Sequence, residues 1–411
     1  MTANVSPNRR LIVQNIATLF SGSLVAQGMT AVALLLTARQ LSVDGYGQYS
    51  ASVSLTSLAS ILFSLGLDLW LLREGGREPR RLSSLVGSVL GIKAALGVVW
   101  MVVLYCAAPL LRQETYPASL LRWSVVLIWI DALLATVLMS FKAGLRNREP
   151  SVLEASADAI WCGLTVVLIV LGVRQPAQFL VIRVIVSSVG LCAGLLLLQR
   201  GFGLHFDLRL ARQALRGSFP FAASEFLSVV MMRADVVIVG FTLGKVATGL
   251  YSPAVGLINM AFLAPLAIHL VAVPVLSNLY QNHTKQAGKT AIRFILLAVG
   301  AGSMLTIGFA AAAPLAVYLL GSSFQGSVDI LRILSLVLLF KSISLALAAI
   351  ILAKGQQARR TLAQAVAAGF NILANVAIVH WLGIHGVAGV YVMTEVILMI
   401  GYGWIVWRIK K

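Results

Sequence analysis

"LSVDGYGQYSASVSL", from Leu41 to Leu55, returns half a chain later as "LGKVATGLYSPAVGL", from Leu243 to Leu257. Shifted by 202 residues, Leu41, Gly47, Tyr49, Ser50, Val53 and Leu55 fall on Leu243, Gly249, Tyr251, Ser252, Val255 and Leu257. The shift is close to half of the 411 residues, so the chain reads as one unit built twice. Gly47 and Gly249 read as tight turns, where a residue can need positive φ. Tyr46, Tyr49 and Tyr251 suit the aromatic belt at a headgroup layer.

The repeated unit belongs in a bilayer. Hydrophobic residues make up 59% of the chain and charged residues 11%, with mean hydropathy +0.92, whereas soluble domains carry about 25% charged residues. An apolar run of about 20 residues spans the hydrocarbon as a helix. Twelve such runs are present: Leu11–Ala38, Tyr46–Leu67, Leu82–Leu104, Leu120–Phe141, Val152–Leu171, Ala177–Leu198, Phe219–Thr242, Tyr251–Val275, Ala291–Ala313, Ile330–Ala353, Leu362–Trp381 and Val387–Trp407. None alternates with period two, which excludes a transmembrane β-barrel. The echoed block joins the first and second run of each half, and both copies cross in the same direction. The expected fold is therefore an all-α integral membrane protein of twelve transmembrane helices. They form two six-helix lobes related by a parallel pseudo-two-fold repeat. The lobes are expected at residues 1–198 and 219–411, with a basic linker over 199–218.

The net charge of +18 raises the question of nucleic acid. With the N-terminus, every second loop and the C-terminus on one side, that side holds 22 bases and four acids, and the ten remaining bases and ten acids cancel. The whole excess is the positive-inside signature. It argues against a nucleic-acid partner and places both termini in the cytoplasm. The linker mixes Leu204, Phe206, Leu208, Leu210 and Leu215 with Arg209, Arg212 and Arg216. It is either a segment lying on headgroups or a solvated basic connection.

Other signals argue against chemistry. Arg9 and Arg10 precede a run too long for a signal peptide. Cys106, Cys162 and Cys192 are odd in number and lie in spans, so they read as packing residues, not as a disulfide frame or a metal site. "HTKQAGKT" has His283 where a phosphate loop needs its first glycine. The sequons at Asn4 and Asn282 fall on the cytoplasmic side. No loop exceeds roughly 20 residues by the span assignment above. No enzyme activity and no cofactor are expected.

The small-residue-rich first span, "ARQLSVDGYGQYS" and "LGLDLWLLREGGREPRR" resemble the polysaccharide flippases of the multidrug/oligosaccharidyl-lipid/polysaccharide exporter superfamily. "RADVVIVGFTLGKVATGLYS", "AVPVLSNLY" and the ending "NILANVAIVHWLGIHGVAGVYVMTE", with Thr394 and Glu395, are similar to that family's second half. The chain lacks the two extra helices of the lipid II flippase branch. The resemblance implies a V-shaped pair of lobes that alternates between inward-open and outward-open states and exports a lipid-linked oligosaccharide. Membrane lipids and polysaccharide polymerase machinery are the implied partners, and the chain is expected to be a monomer. A cation- or proton-coupled drug exporter is the alternative within the superfamily. The major facilitator class also has six plus six helices, but "REGGREPRR" from Arg73 to Arg81 does not carry its G-x3-D-R-x-G-R loop.

Ionisable groups inside spans are costly and mark transport sites. The bases are Lys93, Arg183, Arg233, Arg332 and Lys341; the acids are Asp131, Glu154, Asp158, Glu225, Asp235 and Glu395. Lys341, Arg233, Lys93 and Arg183 are the candidate substrate-binding cations. Glu225, Asp131, Glu154, Asp158 and Asp235 are the candidate proton-coupling groups. Lys93 lies at the depth of Asp131 and could pair with it. Arg183 lies about a third of the bilayer from Asp158, by helix rise, and could instead snorkel outward. Glu154 and Asp158, four apart on one face, could share a proton. Arg233 and Asp235 point about 200° apart, which puts Arg233 with Glu225 toward a cavity and Asp235 into packing. Lys341 is the leading cavity cation, with pairing to Asp235 or Asp131 the structural alternative.

Overall fold

The computed structural model describes residues 9–282 and 284–410, with side chains over 25–282 and 286–409. The sequon at Asn4 and His283 of the phosphate-loop-like stretch lie outside these residues, as do the side chains of Arg9 and Arg10. Regular structure among the described residues is helical throughout. In chain order it comprises α1 (Arg9–Ala59), α2 (Ile61–Ser64), α3 (Leu67–Arg77), α4 (Leu82–Ala107), α5 (Ala118–Ala143), α6 (Arg148–Val170) and α7 (Pro176–Gly201). Then follow α8 (Leu208–Thr242), α9 (Lys245–Ala261), α10 (Leu263–Asn282), α11 (Thr284–Ala312), α12 (Leu315–Leu320), α13 (Ser327–Ala353) and α14 (Gln357–Lys410).

Two of these helices are too long for one crossing, and each is broken. α1 loses helical geometry at Ser42 (φ 65°, ψ 172°), and α14 at Gly383 (φ 56°, ψ −147°). Each therefore contributes two crossings. α2 extends the second, and α9 with α10 make the eighth. With α4 to α8, α11 and α13, the expected twelve spans are all accounted for. α3 leaves the second crossing at a bend of 46°, made by Leu65 (φ 47°) and Gly66 (φ 69°). The helices have no water-soluble face to hide. In α6, for example, only 11% of the most apolar window is buried in protein, so most of that surface needs lipid.

The chain divides into two compact units, Met1–Leu41 with Leu55–Phe226 and Ser42–Ser54 with Leu227–Lys411. The edges of these units differ in two places from lobes drawn at 198 and 219. The basic connection and the start of α8 go with the first unit, because Ala211 and Ala214 bury beside Trp70, Leu71, Leu82 and Leu85. Segment 42–54 goes with the second. In the first unit α5 is the hub, packed against α3, α4, α6 and α7; in the second α13 packs against α9, α10, α11 and α14. Both hubs are the fourth crossing of their half, so the sequence repeat is also a repeat of packing roles.

The echoed stretches meet in space. A Cβ on Gly47 would overlap the Lys245 carbonyl, and a Cβ on Gly249 would overlap the Val43 carbonyl. Val43 and Lys245 are themselves equivalent under the 202-residue shift, so the contact is self-complementary, like the interface of a two-fold dimer. The helix breaks obey the same shift: they fall at Ser42 and at Gly244 (φ 85°). This corrects the expected turns at Gly47 and Gly249. Those glycines are helical, and their purpose is close backbone approach. Asp44 reinforces the contact with a 3.2 Å ion pair to Lys245. The expected aromatic belt is also corrected, because Tyr46, Tyr49 and Tyr251 are buried. Tyr46 stacks on Tyr49 with ring centroids 5.9 Å apart.

Gly249→Ala should force two backbones apart and cost at least about 2 kcal/mol, a magnitude typical of overpacking. Thermal unfolding of the detergent-solubilised protein measures it. Gly256→Ala, where nothing stands within 4 Å of the added methyl, should be near neutral.

Candidate substrate and coupling site

In the first unit the deepest charge is Lys93, 1% exposed on α4. Its ammonium donates to Asp68 Oδ2 at 2.7 Å, Thr136 Oγ1 at 3.0 Å and the Ala132 carbonyl at 3.1 Å. Thr136 donates in turn to Asp68 Oδ1 at 2.6 Å. All three ammonium protons and both carboxylate oxygens are thus engaged, which is the condition for keeping an ion pair out of water. The partner is Asp68, not the expected Asp131. The bend at Leu65 and Gly66 starts a new helix and carries Asp68 back to Lys93.

Glu225 on α8 approaches the same bend. The Gly66 N–H donates to its carboxylate, and Asp68 and Lys93 are its charged surroundings. Glu225 also opens onto a cleft of about 230 Å³ lined by Ile61, Leu65, Phe219, Ala222 and Phe226.

Arg183 does not snorkel. Its guanidinium donates to Asp158 Oδ1 at 2.6 Å and lies 4.3 Å over the Trp161 ring. The difference in backbone depth is no more than an arginine side chain can reach across. Asp131 stands near this pair and accepts from Ser187. Glu154 pairs with Lys142 at 3.4 Å. Glu154 and Asp158 thus each have their own cation, and the proton-sharing arrangement expected from their spacing is not formed. Arg332, expected inside a span, is half exposed and pairs with Asp329 at 3.2 Å near the start of α13.

The second unit holds the other two cations. Lys341 on α13 lies 3.7 Å from Glu395 and donates to Tyr391 Oη at 3.3 Å. Its ammonium is 4.4 Å over the Phe262 ring, with 22% of the side chain exposed. The carboxylate behind it is 2% exposed, and Glu395 Oε2 has no hydrogen-bond partner among the described residues. Lys341 is therefore held loosely on one side and open on the other. The expected alternatives, Asp235 and Asp131, are replaced by Glu395. The second crossing of α14 supplies that residue, and Asn371 donating to Thr394 at 3.0 Å fixes the register of the two crossings.

Asp235 is buried as expected, accepting from Tyr251 Oη at 2.7 Å and from the Val236 N–H at 2.8 Å. Arg233, two residues earlier and half-buried, forms no ion pair or hydrogen bond among the described residues. Asp235, Tyr46 and Tyr49 are its electrostatic neighbours. Sequence reasoning missed Asp68, which sits one residue beyond the assigned span, and it gave Glu395 no partner. The glycine at 66 followed by an amphipathic "LDLWLL" is the signal that could have placed Asp68.

Asp68→Ala would leave the Lys93 ammonium buried and unpaired, so it should destabilise the protein by about 3–5 kcal/mol. Adding Lys93→Met should recover most of that loss. Thermal unfolding of the single and double variants tests both parts.

A family profile described as polysaccharide biosynthesis protein matches residues 12–280, more than half of the chain. Among curated proteins no sequence match is found. The fold is shared with several solved transporters. The lipid II flippase MurJ in an inward closed conformation superposes with TM-score 0.76 at 15% identity, covering 95% of this chain and 87% of that one. An inward-facing multidrug resistance MATE family transporter of the MOP superfamily gives 0.71 at 16% identity, over 93% and 94% of the two chains. A MOP superfamily transporter from Pyrococcus furiosus, described as having a binding pocket of reverse polarity, gives 0.65 at 14% identity over 96% of each chain. With two six-helix lobes and charged groups buried inside them, the chain belongs to the polysaccharide biosynthesis protein family and is a multi-pass membrane protein that shares the fold of these transporters.

Proposed function

We propose that this protein flips an undecaprenyl-diphosphate-linked oligosaccharide from the cytoplasmic to the outer leaflet of a bacterial inner membrane, by alternating access, for O-antigen or exopolysaccharide synthesis. Both termini lie in the cytoplasm, and the protein works as a monomer beside the polymerase machinery. No bond is made or broken. The observation that carries the reading is Arg233, a half-buried guanidinium whose donors have no acceptor among the described residues. A planar fork of this kind suits a diphosphate, and Lys341 adds a point charge. A lipid diphosphate bears about two negative charges, and bare hydrocarbon would reject it. The sugars need a wet cavity, and the polyprenyl tail can remain in lipid. Lys93 and Arg183 have their own carboxylates and act as scaffold.

The membrane potential suffices as a driving force. One charge moved through 100 mV is worth about 2.3 kcal/mol, so an uncompensated dianion leaving a negative cytoplasm gains about 4.6 kcal/mol. Asp131 and Glu225 are the proton candidates: Asp158 and Glu154 are ion-paired and Asp235 is held by Tyr251 and a backbone N–H, whereas neither Asp131 nor Glu225 forms an ion pair among the described residues. A second reading, export of a lipophilic cation, draws support from Glu225 beside its apolar cleft.

Arg233→Ala and Lys341→Ala should each abolish flipping of a labelled lipid-linked oligosaccharide in proteoliposomes while leaving folded protein in the membrane, and Lys341→Arg should retain part of the rate. Wild-type rates in both alanine variants would refute the site. A deletion strain should accumulate the lipid-linked repeat unit on its cytoplasmic face. Gain of sensitivity to cationic dyes with normal polysaccharide would instead establish the exporter.

In the same vesicles, a potential at equal pH should accelerate flipping. Response only to a pH gradient at zero potential would assign the coupling to the proton candidates.

A further inference from the structure

The stretch between the two halves is not a loose linker. Ser88 Oγ donates to the Asp207 carbonyl at 3.0 Å and accepts from the Asp207 N–H at 3.1 Å. The Phe206 ring covers Gly91, where a Cβ would collide with it. Asp207 Oδ1 then accepts from the Arg209 N–H at 2.8 Å and caps α8. The helix beyond the cap has two faces. Ala211, Ala214 and Ser218 bury against the first unit.

On another face Leu208, Leu215 and Phe219 are 57%, 41% and 76% exposed. At 100° per residue these three fall within about 40° of one another, and Arg212, Arg216 and Arg209 follow at about 40°, 80° and 100° from Leu208. An exposed apolar stripe is thus bordered on one side by an arginine stripe. None of the three arginines forms an ion pair among the described residues, and the acid next to them, Asp207, is spent on the cap.

Helix length fixes the depth of this face. The 35 residues of α8 extend about 52 Å, against about 30 Å of hydrocarbon. If Phe219 marks the edge of the apolar crossing, Arg216 and Arg212 stand about 4.5 and 10.5 Å beyond it, at the level of phosphates.

We propose that this face of α8 seats the headgroups of anionic phospholipids in the leaflet on the basic side of the protein. Arg212 and Arg216 bind the phosphates, and Leu215 and Phe219 enter the acyl boundary. The choice of a lipid over a protein or a nucleic acid rests on the interleaving of charge with apolar side chains at a depth where only lipid is continuous. The site is independent of the substrate assignment, since its ligand need carry no sugar.

The test titrates the purified full chain, in neutral detergent micelles, with fluorescently labelled phosphatidylglycerol. Each Arg→Gln change at 212 or 216 should weaken binding about five-fold, so the double variant should lose about 25-fold. Binding should fall with added salt. Phosphatidylcholine binding should not change, and Arg359→Gln, an exposed arginine of the second unit, should bind like the wild type. Thermal unfolding without lipid checks that the variants are folded; should the double variant fail, the two single variants decide. Unweakened binding in the variants overturns the proposal. Equal competition by soluble glycerol phosphate also overturns it, by showing a free-phosphate site instead.

Discussion

Two backbones touch at Gly47 and Gly249, and no side chain larger than hydrogen fits at either place. The contact is exchange-symmetric: each glycine receives the carbonyl of the residue that begins the other copy's helix. Such a contact is available only when both helices break at the same register, and they do, at Ser42 and Gly244. Once the first and second crossings of each half are set by that break, the hubs α5 and α13 occupy equivalent fourth positions. The internal duplication is therefore a physical constraint on the present structure and not only a trace of its origin.

The buried charges divide by what surrounds them. Lys93 is saturated, with three acceptors for three protons, and Arg183 has a carboxylate and an indole face. These pairs hold helices in register, because losing either partner would strand a charge in a medium that cannot solvate it. Lys341 and Arg233 are different. One has a long contact with a carboxylate that keeps an unused oxygen, and the other has only electrostatic neighbours. A cation left incompletely satisfied at membrane depth is costly, which marks these two groups off from the saturated pairs.

The helix breaks do much of the functional positioning. The kink at Leu65 and Gly66 turns Asp68 inward to Lys93 and presents a free N–H to Glu225. The break at Gly383 lets α14 fold back on itself, so that Asn371 meets Thr394 and Glu395 comes behind Lys341. Irregular backbone at membrane depth is tolerated because neighbouring side chains or helices satisfy the groups it frees.

The sequence by itself determined the twelve crossings, the doubling and the list of buried charges, because apolar length, internal echo and the cost of charge in hydrocarbon are local or additive properties. The burial of Asp235 was also readable, from its angle to Arg233 on one helix. Which cation meets which acid was decided only by the tertiary structure. Lys93 was matched to Asp131 by depth alone, but its partner, Asp68, arrives through a 46° bend. Helix rise alone leaves Arg183 free to snorkel outward, but its long side chain closes the gap to Asp158. The sequence suggests turns at Gly47 and Gly249, whereas their need for no side chain comes from a partner 202 residues away. Depth and helical angle fix where a group starts. Helix breaks, side-chain reach and close backbone contacts fix what it touches, and these depend on residues distant in the chain.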